Sequence, residues 1–280
     1  MAKRVGIVGF GKLGQFLANK VLSHPELSLE FIWNRSPIPA EARPHGVPIL
    51  DTLADVETHK PDLIVEVAHP LITQEWGSRF LSLSDYMVGS PTAFGQEGLR
   101  INMLAQAAAG PRGLFIPQGA MIGLGDLLLA SRKGRVASLK LTMEKTPDSI
   151  KYQGPLEEPL DKVTSRKTIY EGAVGPLCSY APNNINTMAV ATMASGLPFD
   201  RVQAELVVDP GLKVHIVKMD VWGPEPEADA GQFCLRFQKD NPAAPGAVTG
   251  SATYDSFFNS IIEAVEGRAF HSSHKGVYFS

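Results

Sequence analysis

Cysteine is scarce in this chain. Its 280 residues contain two, Cys178 and Cys234, too few for a disulfide framework, so both read as small apolar residues of a reducing compartment. Basic charge is not in excess: 26 Lys and Arg stand against 29 Asp and Glu, a net charge of -3. Nothing is left over to neutralise a run of backbone phosphates, and no nucleic-acid partner is expected. Long apolar runs are missing as well. The longest, around Gly119–Ala130, is broken by Asp126 and falls short of the ~20 residues that span a bilayer, so no membrane partner is expected. Met1-Ala2-Lys3-Arg4 leads into Val5-Gly6-Ile7-Val8-Gly9, too short and glycine-rich for the apolar region of a signal peptide. The end, Val277-Tyr278-Phe279-Ser280, matches no retention or peroxisomal signal. These absences predict a cytoplasmic protein. Neither cysteine stands at a usable spacing from a histidine, so no metal site is expected. What is present is an ordinary globular composition, 44% hydrophobic and 20% charged, at a length that suggests about two domains.

The first 120 residues alternate between two periodicities. Val5–Val8, Leu29–Trp33, Asp62–Val67, Tyr86–Val88 and Leu114–Ile116 are short apolar runs that end in glycine, proline or polar residues, as buried strands do. Between them, Leu13, Phe16, Leu17, Val21 and Leu22 recur at helical spacing, and further helical stretches lie near 71–83 and 96–109. Strands separated by helices imply βαβ units and a parallel sheet. The first strand runs into Gly9-Phe10-Gly11-Lys12-Leu13-Gly14, a G-x-G-x-x-G string with a strand before it and a helix after it. Gly9 allows the tight turn, Gly11 close approach of a pyrophosphate, and Gly14 close packing of helix on strand. The N–H groups opening the helix at Lys12 and Leu13 face the phosphates. The predicted class is α/β: a Rossmann dinucleotide-binding domain plus an α+β domain.

The choice of dinucleotide is read at the end of the second strand. A carboxylate there would bind the ribose 2′-OH of NAD and repel a 2′-phosphate. Here the residues are Asn34, Arg35 and Ser36, one neutral, one cationic and one able to donate, which favours NADP or at least tolerates it. Arg35 also reads as a solvated loop residue. Ligands of such sheets sit beyond the carboxyl ends of the strands, where Ala68-His69-Pro70, Gly89–Ala93 and Pro117–Ala120 leave.

From about residue 126 the pattern is strand-heavy. Val136–Met143, Val163–Tyr170 and Gln232–Phe237 read as strands, and Val202–Val208 and Lys213–Trp222 as a hairpin closed by Asp209-Pro210-Gly211-Leu212. A helix is predicted from Asn186 to Ser195, with Asn184 or Asn186 as its N-cap and Gly196 as its stop. Asn241–Gly246 reads as a loop, and a last helix near Tyr254–Glu266 carries Phe257, Phe258, Ile261, Ile262 and Val265 on one face. The domains are expected at 1–125, completed by the helix within 252–280, and at 126–251. His215 is the only histidine of the second half before the tail. By spacing it reads as a core or edge histidine; its imidazole could also exchange a proton near neutral pH. The tail His271-Ser272-Ser273-His274-Lys275 loosely resembles the His-His-x-x-Lys string of dihydrodipicolinate reductases, at the wrong spacing and in the wrong place, and is expected to be a decoy or a flexible lid.

In order, these motifs resemble the L-aspartate dehydrogenase family in its animal branch. The resemblance spans nearly the whole chain: Gly9–Gly14, Glu66-Val67-Ala68-His69-Pro70, Gly89–Ala93, Ile116–Leu124, Thr142–Pro147, Tyr170-Glu171-Gly172, Pro182–Asn186, and Asp209-Pro210 before Val214-His215-Ile216. It implies a two-domain dehydrogenase, usually dimeric, oxidising L-aspartate with NAD(P) to iminoaspartate and then to oxaloacetate and ammonia. The family's proposed catalytic histidine falls on His215, and its nicotinamide-side contacts near Ala120, Asn184 and Asn186. The dianionic substrate needs fixed donors, for which Lys145, Thr142 and the Asn184 amide are candidates. Two departures stand out: Asn34 replaces an acidic residue of many microbial members, and Pro176 sits where relatives look helical. The rival readings are a homoserine-dehydrogenase-like or dihydrodipicolinate-reductase-like enzyme, and a dinucleotide-binding sensor or scaffold without turnover.

Overall fold

The structure, a computed structural model, describes residues 2–226, 231–243, 246–247 and 252–280. In chain order the main elements are β1 (Lys3–Val8), α1 (Lys12–Ser23), β2 (Leu27–Trp33), β3 (Ile49–Leu50), β4 (Leu63–Glu66), α2 (Pro70–Leu83), β5 (Asp85–Val88), α3 (Glu97–Ala109) and β6 (Leu114–Ile116). There follow α4 (Leu124–Arg132), β7 (Ser138–Lys145), β8 (Lys167–Ala173), α5 (Val174–Tyr180), α6 (Asn186–Ser195), β9 (Gln203–Val208), β10 (Val214–Trp222) and β11 (Cys234–Pro242). The chain closes with α7 (Ala252–Val265), β12 (Phe270–His271) and β13 (Val277–Phe279). They divide into two compact units: Met1–Ala93, Glu97–Pro117 and Phe257–Ser280 in the first, Phe94–Gln96 and Gln118–Ser256 in the second.

The first unit holds an eight-stranded sheet in the order β12-β13-β6-β5-β4-β1-β2-β3, parallel except where β12 pairs with β13. The chain runs outward from β1 through β2 to β3, then returns to β4 on the other side of β1. That switch opens a crevice at the carboxyl ends of β1 and β4, the binding place in open α/β sheets. Parallel strands are covered on both faces, and here β4 is buried at every residue. Helix α1 turns Gly14, Leu17, Ala18 and Val21 inward. From α7, Phe257 and Ile261 join the same core as Val65 and Met87; burying each such side chain contributes about 1.5–3 kcal/mol.

Of the two readings of the tail, the flexible lid does not hold: β13 pairs in parallel with β6 through Val277–Leu114 and Phe279–Ile116, and β12 folds back on β13. A three-residue strand is too short to carry a period, and its partner lies some 160 residues earlier in the sequence.

The second unit holds a five-stranded sheet in the order β11-β10-β7-β9-β8. The predicted hairpin does not form. β7 lies between β9 and β10, parallel to the first and antiparallel to the second. The turn between them is present, with Leu212 N–H donating to the Asp209 carbonyl at 3.3 Å and Gly211 N–H to Asp209 Oδ1 at 2.8 Å. Gly211, however, keeps a negative φ, so the turn lacks the positive-φ geometry that aligns two strands into a tight hairpin. The strand expected at Val163–Tyr170 is shifted to Lys167–Ala173, because Val163 closes a short helical turn on the Leu160 carbonyl. β11 continues through Asn241 and Pro242, where a loop was expected. As an edge strand it tolerates a proline at its last position. Ala244 and Pro245 of that loop lie outside the described residues. Helix α6 runs from Asn186 to Ser195 as predicted and stops at Gly196, φ 75°, but its N-cap is Ile185, without a side-chain cap. Pro176 sits in the first turn of α5, where its missing N–H costs no helical hydrogen bond. Among the described residues, no helix is long and apolar enough to cross a membrane.

Candidate active site

The glycine-rich turn lies between β1 and α1. Gly9 has φ +110°, and a Cβ there would stand 2.7 Å from the Ala68 nitrogen. A Cβ on Gly14 would strike the Gly9 carbonyl, whose carbon is 2.9 Å away. Helix, turn and the segment after β4 are thus packed backbone on backbone. At Gly11 a Cβ would meet no protein atom within 4 Å; its backbone borders open space. Gly9, Phe10, Gly11, Trp33, Arg35, Ser36, Ala68 and His69 line a pocket of about 350 Å³. The first N–H groups of α1, at Lys12 and Leu13, have no intrahelical acceptor.

The Asn34 amide is hydrogen-bonded within the protein at both ends. Its Oδ1 accepts the Phe10 N–H at 2.9 Å and its Nδ2 donates to the Ser36 carbonyl at 2.9 Å, so it staples the turn to the end of β2. Arg35 and Ser36 are exposed beside it. His69 caps α2, its Nδ1 accepting the Leu71 N–H at 3.3 Å. Burial, and next the positive charge of Arg35, hold its imidazole below the usual range.

Sequence reasoning did not single out Glu66. It is fully buried at the end of β4, where its carboxylate accepts the N–H groups of Ala68 at 2.7 Å, His69 at 2.9 Å and Ser90 at 2.9 Å. The Ser90 hydroxyl donates a fourth bond at 3.0 Å. Burial pushes the carboxyl up to about 7 against these four donors. Glu66 ties the loops after β4 and β5 together beneath the crevice. The available signal was a lone acid within an otherwise apolar strand.

In the second unit, His215 is the second residue of β10 and 5% exposed. It lines a cavity of about 830 Å³ with Asp148, Ser149, Asp161, Val163 and Lys213 among its walls. Desolvation, and next the charge of Lys145, lower its imidazole to about 4, partly opposed by Asp148. Ile216 pairs with Glu144 across β7; one step further along the ladder His215 stands opposite Lys145. Lys145 is 3% exposed, donates to the Asn184 carbonyl at 3.3 Å, and is lowered by burial to about 8. The residues present a neutral base beside a buried cation.

The structure does not bring Thr142 to this pair. Residues three apart on a strand point to opposite faces, and Thr142 faces Lys218, its hydroxyl donating to Glu205 at 3.4 Å. That face carries a charged lattice in which Glu144 binds Lys218 at 2.5 Å and Arg166 at 3.2 Å. The Asn184 amide is also committed: Nδ2 donates to the Ser149 carbonyl at 2.7 Å and Oδ1 accepts the Lys151 N–H at 2.8 Å. Asn184 therefore shapes the segment 149–151 that borders the cavity. Asn186 opens α6, and Ala120 lies in the turn closed by Met121 N–H on the Gln118 carbonyl.

Comparison with known proteins bears on both halves. Residues 126–260 match the family model "Aspartate dehydrogenase, C-terminal". An aspartate dehydrogenase domain-containing protein of Xenopus tropicalis is 38% identical over 92% of this chain and 93% of its own, and that of Danio rerio is 39% identical over 93% and 94%. The chain belongs to the aspartate dehydrogenase family. With that family it is an NAD(P)-dependent oxidoreductase acting on a small molecule. L-aspartate dehydrogenase 1 of Bordetella pertussis is 27% identical over 86% of this chain and 90% of its own. The aspartate dehydrogenase of Thermotoga maritima has the same fold, with a TM-score of 0.66 at 21% identity, covering 95% of this chain and 97% of that one. A dinucleotide fits the aspartate dehydrogenase fold seen here: the side of Gly11 is open, the α1 N–H groups are unclaimed by the helix, and no carboxylate stands where Arg35 and Ser36 do.

Proposed function

We propose that the protein catalyses the reversible oxidative deamination of L-aspartate: aspartate, NADP⁺ and water give oxaloacetate, ammonium, NADPH and a proton by way of iminoaspartate. The observation that carries this reading is the buried, neutral His215 on the wall of a cavity, with the cationic Lys145 behind it. When bound, the nicotinamide accepts the hydride that leaves the substrate Cα. His215 takes the proton whose loss leaves the amine neutral and releases it to solvent, the proton of the overall equation; neutral again, it takes a proton from the water that attacks the imine and returns it to the departing ammonia. An imidazole lowered to about 4 is in its basic form throughout the physiological range. Lys145 supplies positive charge toward the carboxylates. The relatives named L-aspartate dehydrogenase support the choice of substrate. The same reading has the chain working in the cytoplasm as a homodimer. A steady-state screen of amino acids, and of 2-oxo acids with ammonia, tests it: L-aspartate and oxaloacetate are expected to give the highest kcat/KM. Binding of NADP with no reduction by aspartate would defeat the proposal.

We further infer that NADP is preferred over NAD, with Gly9, Gly11, Lys12, Leu13 and Gly14 at the pyrophosphate and Arg35, Ser36 and His69 toward the 2′-phosphate. Arg35→Glu is expected to weaken NADP relative to NAD by about tenfold or more, as loss of a charge-assisted contact and gain of a repulsive one require. Paired dissociation constants check this; an unchanged ratio would remove Arg35 from the phosphate site.

A further inference from the structure

His215 and Asn241 are register partners across the antiparallel pair β10–β11, so their side chains leave the same face of the sheet. Both are buried, at 5% and 3% exposure. Asn241 Oδ1 is buried and has no hydrogen-bond partner in the structure, a costly state for a carbonyl oxygen. The neutral imidazole of His215 has one ring N–H to donate, and among the described residues no hydrogen bond reaches that ring. An acceptor without a donor and a donor without an acceptor therefore stand side by side. A catalytic base also needs a group that holds its ring and fixes its tautomer. The charged neighbours do not provide one. Lys145 and Lys213 are donors only, Asp148 Oδ1 is taken by the Thr146 hydroxyl at 2.5 Å, Asp161 lines the same cavity without a hydrogen bond to the ring, and Lys239, two residues from Asn241 on β11, is again a donor only.

We propose that Asn241 is the positioning residue of His215: a rotation of the Asn241 amide toward its register partner lets Oδ1 accept one ring N–H and leaves the lone pair of the other nitrogen directed at the cavity. The proposal rests on the reading of His215 as the acid/base, and its ring chemistry can be examined without any turnover.

The test uses the full chain with Asn241→Leu and Asn241→Asp. In the wild type, ¹H–¹⁵N spectra of the His215 ring are expected to show one tautomer; in Asn241→Leu, a mixture. In that variant kcat with aspartate is expected to fall at least tenfold while KM stays within about twofold. A residue that only packs would not change the ring tautomer together with kcat. Asn241→Asp restores an acceptor, so it should recover a single tautomer and most of kcat, with the acidic limb of the rate profile moved to higher pH. An unchanged tautomer and an unchanged kcat in Asn241→Leu would overturn the proposal. Should Asn241→Leu fail to fold, a mixed tautomer or unmoved pH limb in Asn241→Asp would overturn it. A tautomer change in a protein that does not oxidise aspartate would uphold the role of Asn241 and reject the proposed substrate.

Discussion

Replacing His215 with Asn is expected to lower kcat with L-aspartate by about 10²–10⁴-fold, the usual worth of a positioned acid/base, while NADP affinity stays within about twofold. The two effects separate because the glycine turn, Arg35 and His69 belong to one compact unit and His215 to the other. The substitution also changes how stability responds to pH. The folded imidazole is lowered to about 4, against about 6.5 in the unfolded chain. Between those values the unfolded chain holds more protons, so stability rises with pH across the window. It is complete above about 6.5 and is lost as pH falls toward 4, by roughly 3 kcal/mol at most. His215→Asn should remove that slope. Denaturant midpoints at pH 4.5 and pH 7 for both proteins, read alongside kcat, check the prediction; a variant with wild-type turnover would take the acid/base role away from His215.

The second large effect is expected from Gly14→Ala. In the interior of an exposed helix this change ordinarily stabilises by about 0.5–1 kcal/mol. Here the added Cβ meets the carbonyl of Gly9, backbone against backbone, with the carbonyl carbon 2.9 Å away. Neither can turn aside as a flexible side chain would, so the helix must move off the turn, at a cost of about 1–3 kcal/mol. The same movement displaces the N–H groups of Lys12 and Leu13 from the phosphate position. NADP affinity is therefore expected to fall by two orders of magnitude or more, with a lower melting temperature. Thermal melts with and without NADP measure both. A stabilised variant that still binds NADP would show that contact between α1 and the turn is not what requires glycine.

The two halves of the molecule were not equally legible. The first was readable because its signals are local: a glycine string between a strand and a helix, and apolar residues at helical spacing in α1, α2 and α3. The second depended on pairing between distant segments. The Asp-Pro-Gly-Leu turn was visible, but not that β7 would take the central position between β9 and β10. Thr142 was mistaken for a companion of Lys145 although strand parity, three residues apart, already set them on opposite faces. Asn241-Pro242 carries turn chemistry, so the strand that continues through it, and the buried amide beside His215, went unseen. Asn34 and Asn184 are expected at a ligand, and their amides also have a structural part that the sequence did not show, each bonded to the protein through both its oxygen and its nitrogen. Glu66 gave only a lone acid among apolar neighbours, and its four donors appear once β4 and β5 are side by side.

The most direct test of the account follows the hydrogen itself. The purified protein is incubated with NADP and L-aspartate carrying deuterium at Cα, and the reduced dinucleotide is examined by NMR. The account predicts deuterium at C4 of the nicotinamide, on one face only, together with oxaloacetate and ammonium, and none of these with His215→Asn. NADP bound but unlabelled, with aspartate recovered intact, would contradict it.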